Sequence, residues 1–135
     1  MASGPAGIAG LSVVLFDGRF DRVHYALVLA SAAVATNRPA TLFFTGQALR
    51  ALLPDGWRQL EGDPEGQEAA FAARRVATFA ELLDACQALG VRFIACEMGL
   101  RALGLDTAAL AVPAEIAGVV TLLAEAPRDG QLLFI

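Results

Sequence analysis

Cys96 is the residue of this chain best placed to act as a nucleophile. It ends the apolar run Val91–Cys96 (VRFIAC) and stands directly before a stretch that reads as a helix. The free amides of a helix N-terminus stabilise a thiolate. Cys86 falls on one helical face with Phe79, Leu82, Leu83 and Leu89, the setting of a thiol packed in a core. The single histidine, His24, opens the helix after the first strand candidate. A right-handed crossover brings that helix start to the sheet edge that carries Cys96, so a Cys/His pair is geometrically available. Against it stands the plainer reading, with His24 a solvated or capping residue at a helix start and Cys96 a packing residue. Both readings stay open at this level.

Other chemistries are argued against by what the chain lacks. All ten basic residues are Arg, so no lysine is present to form a Schiff base or to end a Walker phosphate loop. Asp17-Gly18-Arg19 offers one glycine where a dinucleotide fingerprint needs three, so no nicotinamide cofactor is expected. Ser31 shares a face with His24, but no serine lies in a Gly-x-Ser-x-Gly elbow. Two cysteines and one histidine fall short of the usual four-ligand zinc site, and no metal is expected. Arg101, behind Cys96, and the pair Arg74-Arg75 could grip an anion, although arginines on a helix more often form a solvated face.

The elements that must position these residues follow from the apolar pattern. The chain has 135 residues, 56% of them hydrophobic and 18% charged, which is enough apolar surface for one globular domain with a large core. Residues 1–10 read as a flexible leader with neither the basic nor the apolar region of a signal peptide, and residues 11–135 as a single domain. A net charge of −4 repels phosphate backbones, so nucleic acid is not an expected partner. The longest apolar run, Ala26–Ala35, is too short to span a membrane, and a cytoplasmic protein is expected.

Strand candidates are Leu11–Phe16, Ala40–Thr45, Val91–Cys96, a brief stretch around Leu110–Val112, and Gln131–Ile135. Helices are expected from Asp21 to about Thr36, over Gly46–Leu53, over Thr78–Leu89 with Gly90 as its stop, from Glu97 to Leu103 with Gly104 as its stop, and over Ala114–Ala126 with Glu115 in the first turn. Pro54–Gln67, rich in Gly and Pro, reads as a surface loop or lid. Strands alternating with helices imply an α/β fold, a flavodoxin-like doubly wound parallel sheet of about five strands in the order 2-1-3-4-5. The expected crevice opens between the first and third strands. It is lined by Asp17, Gly18, Arg19, His24, Thr45, Glu97, Met98, Arg101 and Glu115, with Cys96 at its rim and open to small alkylating agents. Glu97 sets a negative charge beside that thiol and opposes the helix dipole. The helices Val23–Ala35 and Ile116–Ala126 carry little polar surface, which predicts a homo-oligomer.

Four segments carry a resemblance: Phe20–Ala35 (FDRVHYALVLASAAVA), Ala40–Leu52 (ATLFFTGQALRAL), Val91–Leu105 (VRFIACEMGLRALGL) and Ala114–Leu123 (AEIAGVVTLL). In this order they resemble the DsrE/DsrF/DsrH-like sulfur-relay proteins, and most closely the DsrE2-like, peroxiredoxin-like branch. The resemblance implies a flavodoxin-like domain, homo-oligomers, and a cysteine, here Cys96, that carries sulfane sulfur as a persulfide to or from a partner thiol protein. Glu97-Met98-Gly99 departs from the small polar residue that often follows that cysteine in relatives. The alternative is a non-enzymatic oligomeric module of the same fold that binds a small molecule, in which Arg19 and Arg101 matter more than Cys96. A thiol peroxidase is the third class, but it lacks a visible resolving cysteine because Cys86 reads as buried.

Overall fold

A computed structural model describes residues 10–126 and 128–135 of the chain. The leader expected over residues 1–10 lies outside them except for Gly10. The apolar run at Leu11 forms strand β1 (Leu11–Leu15), and β2 (Ala40–Phe44) pairs with it in parallel, Leu11 opposite Ala40. Between them runs helix α1 (Phe20–Ala35), which starts one residue before the expected N-cap, so Asp21 stands in its first turn, where a carboxylate suits the dipole. Just past the helix end stands Asn37, whose φ of 65° lets the Arg38 amide reach back to the Ala33 carbonyl at 2.8 Å.

The segment expected as a loop is largely ordered structure. After a 3-10 helix over Gly46–Leu52 comes a second over Gly56–Gln59, and helix α2 (Pro64–Ala73) starts inside the Gly/Pro-rich stretch. Asp63 caps α2 through the Gly66 amide, and Pro64 fills a first-turn position that needs no N–H, so Asp-Pro here is a helix start and not a turn. The stretch is also pinned to the β1–α1 connection. Glu61 donates its amide to the Gly18 carbonyl and accepts from the Phe20 amide, both at 2.9 Å.

Helix α3 (Phe79–Ala88) opens with a capping box between Thr78 and Glu81 and is followed by Gly90 at φ 86°. Strand β3 (Arg92–Cys96) leads directly into helix α4 (Glu97–Leu103), which Gly104 ends in the left-handed region, as the sequence predicts. The next expectation fails. Leu110–Val112 is not a strand, and its neighbour β4 is Glu115–Ala117, taken from the start of the expected helix. The three residues after Pro113-Ala114 pair with Ile94–Cys96, and Gly118 starts helix α5 only at Val119 (Val119–Glu125). Glu115 is therefore a strand residue. Strand β5 (Gln131–Phe134) completes an all-parallel sheet in the order β4-β3-β2-β1-β5.

That order corrects the expected 2-1-3-4-5. The first three crossovers step in one direction across the sheet, and the last returns the chain to the far edge of β1. The switch in direction thus falls between β1 and β5, and β2 separates β1 from β3. One face of the sheet is buried under α1, α3 and the Gly46–Leu52 turn, with Val13, Leu42, Phe44 and Ala95 in its core. The other carries a small separate cluster of Phe43, Ile94, Cys96 and Leu122, the last being the one fully buried residue of α5.

Cys86 lies in the first core, inaccessible to solvent, and its thiol donates to the Leu27 carbonyl at 3.5 Å. Burial pushes this thiol up to about 11. A pKa raised in the folded state gives stability that is complete below the unfolded value, near 9, and is lost as pH rises through about 11. Two units correspond to roughly 2–3 kcal/mol. The chain has no lysine, so few other groups titrate in that window. Urea unfolding at pH 8 and pH 11 should show this loss for the wild type and a smaller one for Cys86→Ala; equal losses would refute the assignment.

Candidate functional site

Cys96 belongs to two elements at once, the last residue of β3 and the N-cap of α4. Its Sγ accepts from the Gly99 amide at 3.4 Å, the place an oxygen takes in an ordinary N-cap. Glycine at 99 lets this first turn pack closely against Leu49 and Thr45. A Cβ there would stand 2.8 Å from Leu49 Cδ1 and 3.0 Å from Thr45 Oγ1. Thr45 follows Phe44, whose register partner is Ala95, so Thr45 lies beside Cys96 across the strand ends. The thiol is not on an open rim, contrary to expectation. Cys96 is 3% exposed and belongs to the buried cluster of Phe43, Ile94 and Leu122.

Of the residues expected around it, some meet and others do not. Glu97 and Met98 flank the thiol in the first turn of α4, and Met98 is largely exposed. The Glu97 carboxylate reaches along the helix to Arg101 at 3.3 Å, both groups in solvent, so this charge is partnered and turned away from the thiol. The opposition expected between Glu97 and the dipole is correspondingly weak, and Arg101 is occupied. Asp17, Gly18 and Arg19 form the β1–α1 connection, where Asp17 accepts from the Arg19 amide at 2.9 Å and lies 3.5 Å from Arg22. Arg19 also pairs with Asp21 at 3.2 Å. Gly18 is needed for close approach, since a Cβ there would stand 2.5 Å from that of Gln47. This connection lies at the end of β1, separated from Cys96 by β2.

His24 does not join Cys96. It sits in the core on the opposite face of the sheet, tilted against Phe71 at 4.5 Å between ring centres, with Nε2 2.9 Å from the Ala77 carbonyl oxygen. The same helix start that brings it to the right edge rotates its side chain toward α2 and α3. Glu115 is likewise removed to a separate role. Arg92 holds it bidentately at 2.5 and 2.7 Å and reaches Glu125 of α5 at 2.8 Å. The hydrogen bonds from Arg92 hold the Glu115 carboxyl below its ordinary range, and both carboxylates raise the guanidinium above its own. The sequence reading missed Arg92, Glu125 and Leu122. The available signal was the lone charge in VRFIAC, because a cation in an otherwise buried strand requires a counter-charge.

A parallel five-stranded sheet with helices on both faces and a cysteine capping the helix after β3 defines a class already known by family. The family model of the DsrE/DsrF/DrsH-like family matches residues 64–134, and the chain belongs to that family. Among individual relatives, it is 26% identical to the uncharacterized protein YrkE of Bacillus subtilis (strain 168), over 92% of this chain and 95% of that one. Its fold is similar to that of MTH1491, a protein of unknown function from Methanobacterium thermoautotrophicum, with TM-score 0.61 and 15% identity over 94% of this chain and 99% of that one. It is also similar to the ychN protein of E. coli, with TM-score 0.59 and 19% identity over 93% and 99% of the two chains.

Proposed function

We propose that this protein is a sulfur carrier or sulfurtransferase-like protein of the cytoplasm, with Cys96 as the carrying atom. The Cys96 thiolate attacks the outer sulfur of a donor persulfide; the donor S–S bond breaks, the donor leaves as a thiolate, and Cys96 holds the sulfur as a persulfide. An acceptor thiolate then takes the outer sulfur and releases the Cys96 thiolate, so no external oxidant or reductant is consumed. The observation that carries this reading is the Gly99 amide directed at Sγ, which stabilises the anion in both steps. No base is assigned, since His24 faces the other core.

The test is intact mass after incubation with a small persulfide donor. Wild type should gain the mass of one sulfur atom and lose it to excess thiol, and Cys96→Ser should gain nothing. A gain on Cys96→Ser, or none on wild type, defeats the proposal. The near-complete burial of Cys96 favours a second reading, a binding module without turnover, which predicts no gain on either protein.

A homo-oligomer is part of the proposal. Helix α1 buries most of its apolar face within the chain, but Phe16, Leu132 and Phe134 leave an exposed apolar strip along β1 and the edge strand β5. Phe16 and Phe134 stack at 5.9 Å between ring centres. A second copy covering this strip would remove the exposed edge. Light scattering should give a multiple of 14.1 kDa at micromolar concentration, and a monomer mass would refute it. None of the described helices is long and apolar enough to cross a membrane.

A further inference from the structure

Most of the buried surroundings of Cys96 are built from parts of the fold that are anchored elsewhere. Phe43 and Ile94 are side chains of central strands, and the first turn of α4 is packed by Gly99 against Leu49 and Thr45. The remainder is α5. Ala117, the register partner of Cys96 on β4, is followed by Gly118 and the first turn of that helix, and Leu122 one turn later enters the cluster around the thiol.

Little holds α5 in place. It has seven residues, no side-chain cap at Gly118 and one buried side chain, while Val119, Val120 and Leu123 point into solvent. Beneath its second half lies a gap of about 20 Å³ lined by Ser12, Thr41, Arg92, Leu122, Glu125 and Ala126, so contact with the sheet is incomplete there. The polar attachment among described residues is the Arg92–Glu125 ion pair at 2.8 Å. Arg92 is itself fixed to the sheet by Glu115 and would keep that partner if Glu125 left.

We infer that α5 is a hinged cover over Cys96, latched by Leu122 at the thiol and by the Arg92–Glu125 pair at its far end, and that Cys96 reacts only when the helix lifts. Elements with few buried contacts open locally at far lower free energy than the whole fold. The inference deepens the Cys96 reading and rests on it for its use, but the test reads only access to a thiol, so each can fail without the other.

The chain carries its own reference. Cys86 lies in the opposite core, inaccessible to solvent and packed among α1 and α3 residues such as Leu27 and Leu82, so it serves as the internal comparison. Alkylation of the native full-length chain by iodoacetamide, followed by peptide mapping, gives both rates in one sample. Cys96 should react at least tenfold faster than Cys86, and low urea should accelerate Cys86 much more steeply than Cys96. Glu125→Gln should raise the Cys96 rate about twofold to fivefold, as loss of an exposed pair permits. Leu122→Ala should raise it tenfold or more. Phe79→Leu, which loosens the other core, should accelerate Cys86 and leave Cys96 unchanged.

Equal rates for the two cysteines, parallel acceleration of both by Phe79→Leu, or a Cys96 rate indifferent to both α5 variants would overturn the cover. If gating holds while the persulfide test fails, only the sulfur reading falls. If Cys96 takes sulfur and alkylates without regard to Leu122 and Glu125, only the cover falls.

Discussion

Phe20→Ala is expected to cost about 3–5 kcal/mol of folding stability, the largest loss of any single truncation considered. Phe20 is completely buried at the start of α1 and joins that helix to three other elements of the fold. Its ring lies 5.3 Å from that of Phe79 in α3, 6.1 Å from Phe71 in α2 and 6.1 Å from Trp57, and it stacks on His24 at 5.9 Å. Removing it leaves a cavity whose walls come from separate helices, each held elsewhere, so collapse is restricted and the upper part of the range applies. The backbone at this residue is also fixed, because its amide donates to the Glu61 carbonyl. Urea denaturation should show a lower midpoint with an unchanged slope. A loss below about 1 kcal/mol would mean that the aromatic cluster is not the joint between α1 and the α2–α3 pair.

The second large effect is expected at Gly56, where any side chain meets backbone. A Cβ at this position would overlap the Arg50 carbonyl oxygen and stand 2.9 Å from the Ala51 carbonyl carbon. Neither atom can rotate away. Gly56→Ala must therefore push the Leu53–Gly56 turn off the Gly46–Leu52 helix, and the loss should reach about 2–3 kcal/mol, the upper part of the overpacking range. The displacement should also be visible. Trp57 follows directly and packs edge-on against Phe20, so its fluorescence should shift toward that of an exposed indole in the folded variant. Native-like stability and fluorescence in Gly56→Ala would show that the turn yields freely. Gly90, where nothing lies near the missing Cβ but φ is 86°, is the contrasting case, in which strain and not contact opposes substitution.

Local signals in the sequence were sufficient wherever the physics is local. The β3–α4 junction is the clearest example: an apolar run ending at Cys96, seven helical residues and a glycine stop at 104 all appear where expected. The helix that Gly90 stops, the core position of Cys86 and the parallel α/β class follow from the same kind of short-range rule. The tertiary structure decided what depends on distant partners. Glu115-Ile116-Ala117 has the composition of a helix start, and it becomes a strand because Ile94–Cys96 offers free hydrogen bonds beside it. The order of strands is set by which edge accepts the last crossover, and that choice leaves no trace in the apolar period of β5 itself. His24 was legible to the correct end of the sheet, but the rotation of α1 against α2 and α3 put its ring on the face away from Cys96. Whether the thiol is open or covered was least legible of all. In the proposed cover it rests on a single leucine of α5 and on one arginine shared between two glutamates, a pairing across residues 92, 115 and 125 that only the folded chain brings together.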